Sequence, residues 1–315
     1  MYENVEMRKV FCDELDRLME KDARIAVLDA DLAKANGTLR LRDKYPDRAF
    51  DVGIAEQNMA SVAAGMAAYG MIPFIGSFAP FVTRRICDQL AISVSYACQS
   101  VKIVGSDPGI TAEYNGGTHM SFEDIGVLRS IPNFVIFEPA DAVELAKSLP
   151  QIVAHDGPIY LRLARKAAPV VYGGDYQFEL LSADVLRPGK DVSVFASGIM
   201  VHEALEAEKL LRAENIDAEI INIHTVKPID ADAVVSSVKK TGVAVTCENH
   251  NVIGGLRSAV AEVLTERCPA YIAAVGIPDC FGVVGKMPYL KEKFGLTSRD
   301  IAAAVRNALD RKSKA

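Results

Sequence analysis

Short apolar runs separated by helix-length amphipathic stretches recur along almost the whole chain, and few folds accept that order. Met7, Phe11, Leu15 and Leu18 recur at helical spacing and lead into the apolar run Ile25-Ala-Val-Leu28. The pattern then predicts a helix over 56–69 stopped by Gly70, a buried strand over 72–75, a long helix over about 81–98 and a strand over 101–104. Ser121-x-x-Asp124 fits a capping box that opens another helix, followed by apolar runs at 134–137 and 159–163 and a helix after Asp141. From about Ala167 to Lys190 proline and glycine break the periodicity. A second alternating series follows, with strands at 192–195, 218–223 and 243–246 among helices, the last helix opened by Thr297-x-x-Asp300. Strands spaced by helices predict parallel sheets covered on both faces. The expected fold class is therefore α/β with two doubly wound domains, residues 1–170 and 191–315, joined by a linker over 171–190. Residues 311–315 read as a frayed tail.

A chain of 315 residues, half of them hydrophobic and about a quarter charged, has enough material for two full cores. The net charge of -6 argues against nucleic acid as the main partner, which needs a basic face. No apolar run approaches the roughly 20 residues that span a bilayer, and Met-Tyr-Glu-Asn does not start a signal peptide. The six cysteines are scattered without a C-x-x-C pair, which reads as buried free thiols in a reducing cytoplasm.

Several residues could carry chemistry. Glu56 stands where an apolar strand hands over to a small-residue helix, among Gly53, Ile54, Ala55, Met59 and Ala60. Burial there favours a partly desolvated carboxyl, and the other reading is an acid that complements the helix dipole. Phe78 and Phe81 share a helical face, as a stacking platform or as ordinary core. Arg84 and Arg85 need a carboxylate, a phosphate or solvent. The glycine-rich segment 105–119 matches neither a dinucleotide fingerprint nor a Walker loop. Its glycines permit close approach of a ligand, and Asn115, Thr118 and His119 place a donor, a hydroxyl and an acid/base group on it. Arg8, Asp29, Asp31 and Arg165 flank strand ends. His202, His224, Glu248 and His250 lack metal-ligand spacing and are given no catalytic role; His155 reads as a turn residue. There is no G-x-S-x-G elbow and no Gly-Asp-Gly segment to hold a metal and a diphosphate, so no metal ligand is assigned to this chain.

One acid, an aromatic pair and a histidine on a glycine turn are what surrounds the aminopyrimidine of thiamine diphosphate, and with them the chain resembles the transketolase family, most closely the C-terminal subunit of a split transketolase. The resemblance is carried by Asp51-Val-Gly-Ile-Ala-Glu-Gln-Asn, Phe78-Ala-Pro-Phe81 and Gly116-Gly-Thr-His119 and covers essentially the whole chain. Residues 27–166 look like the pyrimidine-binding domain, and those from about 190 like the family's C-terminal domain. The resemblance implies that Glu56 hydrogen-bonds N1′ of the aminopyrimidine, that Phe78 and Phe81 pack on the ring with Arg84 nearby, and that Asp31 lies beside the thiazolium. It implies that His119 and Asn115 contact the substrate, and that Arg8 and Arg165 bind its terminal phosphate. A serine and a histidine that usually help with that anion are replaced by Ala35 and Ser106, and Asn115 replaces an aspartate. Mg²⁺ and the diphosphate would be held by a partner, an N-terminal transketolase subunit, in an α2β2 assembly acting on sugar phosphates. A deoxyxylulose phosphate synthase-like enzyme, the β subunit of a 2-oxoacid dehydrogenase and a non-catalytic stabilising subunit are the competing expectations.

Overall fold

The computed structural model describes residues 2–314 and forms two α/β domains. In the first, strands β1 (Ile25–Asp29), β2 (Ala49–Asp51), β3 (Ile72–Phe78), β4 (Lys102–Ser106), β5 (Val135–Phe137) and β6 (Ile159–Leu163) pair in parallel in the order β5-β6-β4-β3-β1-β2. In the second, β7 (Asp184–Arg187), β8 (Val192–Ala196), β9 (Ala218–Asn222), β11 (Val243–Asn251) and β12 (Tyr271–Ile277) line up as β12-β11-β8-β9-β7. The remaining strand, β10 (Thr225–Lys227), crosses over and pairs antiparallel with β5, so the first sheet has seven strands.

Successive side chains of a strand point to opposite faces, which is why the central strands carry apolar residues on both. In β3, Phe74 joins the core under α1 (Met7–Lys21) and α7 (Ala142–Ala154), while Ile75 joins the one under α4 (Glu56–Ala68). Val104 and Ile103 of β4 divide in the same way. The second sheet repeats the arrangement. Val194 and Ile220 face α8 (Met200–Ala213) and α12 (Ser298–Lys312); Phe195 and Ile221 face α9 (Ala231–Thr241) and α10 (Leu256–Arg267). Short helices α2 (Ala33–Asn36) and α3 (Leu39–Lys44) connect β1 to β2, and α11 (Met287–Phe294) precedes α12.

Four local expectations change. The helix over 81–98 is not regular: a 3₁₀ turn (Arg84–Ile86), α5 (Cys87–Gln89) and π winding (Leu90–Tyr96) follow one another, with Ile86, Leu90 and Val94 buried at four-residue intervals. Ser121 does not cap a helix. Helix α6 (Asp124–Arg129) starts at Asp124 itself, whose carboxylate is taken by Tyr160 and Arg162. The aperiodic segment after residue 170 contains β7, an antiparallel edge strand on β9 with alternating exposure, too short to show against Pro188 and Gly189. Residues 311 and 312 belong to α12, where Lys312 Nζ donates to the Thr241 carbonyl at 2.6 Å; Ala315 lies outside the described residues. The Thr297–Asp300 capping box is present.

The domains meet on a buried polar joint. Arg162, fully inside, donates to Asp124 (2.7 Å), to Glu138 and to the Asn249 carbonyl (2.8 Å), and Ser197 donates to Glu138 (2.8 Å). Burial acts against the charge on Asp124, but Arg162 and its hydrogen bonds hold that carboxyl below the usual carboxylate range. Losing the guanidinium would strand two buried acids, a defect worth about 3–5 kcal/mol. Arg162→Leu is expected to lower the Tm by about 10 °C in a thermal melt; an unchanged Tm would show that the joint contributes no net stability.

Candidate active site

Parallel pairing puts the carboxyl ends of β1, β3, β4 and β6 on one edge of the first sheet, where ligands of open α/β sheets bind. Beyond those ends stand Asp31, Phe78 with Phe81, Asp107 and Arg165. Asp31 and Asp107 have left-handed backbones (φ 60° and 50°), which aspartate tolerates better than bulkier residues. Asp51 organises the first corner, accepting from the N–H groups of Asp31 (3.0 Å) and Gly53 (2.9 Å).

The aromatic pair sits edge to face at 6.0 Å, and the His119 ring lies against both, 5.4 Å from Phe78 and 5.2 Å from Phe81. Thr118 Oγ1 is 2.9 Å from His119 Nδ1, and Asn115 is exposed on the same loop. The Arg165 guanidinium stands 5.1 Å from the Phe78 ring and pairs with Asp107. Burial pushes the Asp107 carboxyl up while Arg165 opposes that shift. Arg8 joins this edge through its N–H, which donates to the Arg165 carbonyl at 3.2 Å. Its side chain bonds Glu6 and, at 3.1 Å, the Ala35 carbonyl.

Glu56 is the first residue of α4 and is almost fully buried, accepting from Arg85 at 2.6 Å. The Arg85 guanidinium lies over the Phe81 ring, 3.7 Å from its centroid. Arg84 pairs with Glu123 at 2.7 Å. The 3₁₀ turn decides this: consecutive residues on it diverge, and the second arginine is the one turned towards α4. The glycines of the loop answer to the chain itself. A Cβ on Gly109 would strike the Asn249 amide, and one on Gly117 would strike the Gly282 carbonyl.

Sequence reading also missed the polar layer beneath the edge. Asn36 donates to Asp29 (2.8 Å) and accepts from Ser106 (2.9 Å), and Thr38 donates to Asp29 (2.6 Å), all of them buried. A cavity of about 110 Å³ opens beside Asp107, lined also by Lys166, His202 and Lys291. Lys166 pairs with Glu113, whose other oxygen accepts from the Met287 N–H at 3.1 Å.

Among the described residues one trio of possible metal ligands lies close together, Glu144, Asp184 and His224, with ligand atoms within 4.8 Å of one another. Three distant segments supply it, which spacing could not reveal. Glu144 already accepts from Ala140 and Asn222, and Asp184 from Tyr172 and Tyr176, as befits a domain seam. None of the three lies on the edge that holds Glu56.

Burial pushes Asp29 up to about 6, against the pull of Thr38 and Asn36. The folded chain therefore keeps a proton that the unfolded chain, near 3.9, has lost. The ionised acid costs stability, increasingly from about pH 4 and fully above the folded value, about 3 kcal/mol. Asp29→Asn is expected to raise the Tm at pH 8, with the gain shrinking several-fold towards pH 4; equal shifts at both pH values would contradict this.

Comparison with known proteins agrees with this geometry. Residues 3–170 match the model of the transketolase pyrimidine-binding domain and residues 181–301 that of the transketolase C-terminal domain. The chain is 52% identical to the 6-deoxy-6-sulfo-D-fructose transketolase subunit SqwH of Clostridium sp. (strain MSTE9), over 98% of this chain and 95% of that one. It is 34% identical to an apulose-4-phosphate transketolase subunit of Phocaeicola vulgatus, over 93% and 94%. A solved split-gene transketolase, an inactive beta4 tetramer, superposes with a TM-score of 0.88 at 41% identity, covering 97% of this chain and 98% of that one. With both domain models matched in order and full-length relatives of this size, the chain belongs to the transketolase family and is built like the C-terminal subunit of a split transketolase.

Proposed function

We propose that this chain is the C-terminal subunit of a thiamine diphosphate-dependent transketolase. It would transfer a two-carbon ketol unit from a ketose phosphate to an aldose phosphate, in cytoplasmic carbohydrate metabolism of the pentose phosphate type. The observation that carries the reading is the gathering of Glu56, Phe78, Phe81 and His119 on one sheet edge, joined through Arg85. This edge fits one half of the cofactor, a flat heterocycle against aromatic rings beside a buried carboxyl. The Mg²⁺ and diphosphate sites are assigned to an N-terminal partner subunit, and the complete site to an α2β2 assembly.

The cofactor supplies a nucleophilic carbon and an electron sink. Glu56 would hold its ring nitrogen N1′, Phe78 and Phe81 would exclude water from one face of the ring, and Asp31 would face the thiazolium. His119, its Nδ1 held by Thr118, moves a proton at the substrate hydroxyl and stabilises negative charge on the neighbouring oxygen. Asn115 reads a sugar hydroxyl, and Arg8 and Arg165 bind the terminal anion.

A second reading concerns that anion. Ser106 is buried with its hydroxyl turned to Asn36 and to the Ser77 carbonyl (3.2 Å), and Ala35 offers only its backbone oxygen. The two arginines remain, each already facing an acid, Glu6 or Asp107. Such a pocket suits a monoanion better than a dianion, in keeping with the sulfo-sugar for which one relative is named.

Ketol transfer from xylulose 5-phosphate or 6-deoxy-6-sulfofructose to ribose 5-phosphate tests both readings, with this chain alone and mixed with its N-terminal subunit. Activity is expected only in the mixture, with a higher kcat/KM for the sulfonate. CO₂ release from pyruvate would favour the deoxyxylulose phosphate synthase or dehydrogenase readings, and full turnover by the partner alone the non-catalytic one. Glu56→Ala should cost at least about a hundredfold in kcat, and near-normal turnover would refute the assignment. Arg165→Ala should raise KM by roughly tenfold or more while sparing kcat.

A further inference from the structure

We propose that Arg85 is a built-in occupant of the cofactor's ring site, holding Glu56 and covering Phe81 until the ring displaces it. The inference rests on the reading of this edge as half of a thiamine diphosphate site.

Two independent contacts define the occupant. Arg85 Nη1 donates to Glu56 Oε1 at 2.6 Å, and the same guanidinium lies 3.7 Å from the centre of the Phe81 ring. That spacing is van der Waals contact between a flat cation and an aromatic face. No second flat group fits between them, so a heterocycle packed on that face of Phe81 must take the guanidinium's place.

The hydrogen bond alone leaves room for both partners, because Arg85 holds only Oε1 and the second carboxyl oxygen is able to serve a ring nitrogen. The shared face of Phe81 is what makes the two occupants exclusive.

The two side chains differ in their freedom to move. The Glu56 side chain is 5% exposed and sits in the first turn of α4, whereas the Arg85 side chain is 42% exposed on a 3₁₀ turn. Arginine is the one that can leave, swinging into solvent with its charge hydrated. Until then it keeps the buried carboxylate paired and the apolar ring face covered, which suits a chain that makes only half of a site. Arg84 takes no part, being engaged with Glu123 on the outer side of the turn.

The experiment is a calorimetric titration of thiamine diphosphate, with Mg²⁺, into the assembled complex containing wild-type, Arg85→Ala or Arg85→Lys chains. Thermal melts of each confirm the fold. An occupant competes with the cofactor, so Arg85→Ala is expected to lower the Kd roughly threefold to thirtyfold, the range set by an ion pair and a cation–π contact at a part-exposed position. Arg85→Lys keeps the charge and loses the flat stack, and should fall between. A Kd unchanged or raised by Arg85→Ala would overturn the proposal and make Arg85 a bystander or a cofactor contact. Absence of thiamine diphosphate binding by the wild-type complex would overturn the proposed function together with it.

Discussion

The buried Arg162 guanidinium is the interaction on which the rest of the arrangement depends. It stands on β6 of the first domain, binds two acids of that domain and reaches the Asn249 carbonyl of β11 in the second. Fixing Asn249 fixes the glycine-rich loop. The Asn249 side chain accepts from the Ile110 N–H at 2.9 Å and donates to the Pro108 carbonyl at 3.1 Å. From there the backbone runs through the 3₁₀ turn (Gly109–Asn115) to His119. Gly105 belongs to the same design, because a side chain there would collide with Tyr160, whose hydroxyl serves Asp124. A residue of the second domain thus helps to position the loop that carries His119.

The edge is made of charges held in pairs. Arg165 faces Asp107, Arg8 faces Glu6, Arg85 faces Glu56 and Lys166 faces Glu113. Each of these four cations is already answered by a carboxylate within the chain. Backbone strain accumulates at the same place. Asp31, Asp107 and Glu113 all have positive φ, costly for residues other than glycine and most often found where function fixes the geometry.

Much of this was legible beforehand because strand and helix signals here are strong. Strands β3, β4 and β6 feed two cores at once and read as short, mostly apolar runs, and Thr297 with Asp300 marks the start of α12 by a local hydrogen-bond pattern. Glu56, Phe78, Phe81 and His119 stood out because their residue types and motifs are unusual. Three kinds of feature stayed hidden. Strand β7 is short and sits on an edge, and β12 is largely half-exposed, so neither shows a clean period. Which acid Arg84 and Arg85 each meet depends on the turn geometry. The Asp29–Asn36–Ser106 layer and the Glu144–Asp184–His224 trio join residues far apart in the chain, and only the folded topology brings them together.

On the proposed function, this chain carries half of a cofactor site and a partner carries the other half. Equilibrium dialysis of thiamine diphosphate with Mg²⁺ against this chain, the N-terminal subunit and their equimolar mixture tests it most directly. One cofactor per pair of chains is expected in the mixture, with affinity at least about a hundredfold above that of this chain alone, the margin expected when two half-sites must act together. Saturable binding to this chain alone at the affinity of the mixture would contradict it.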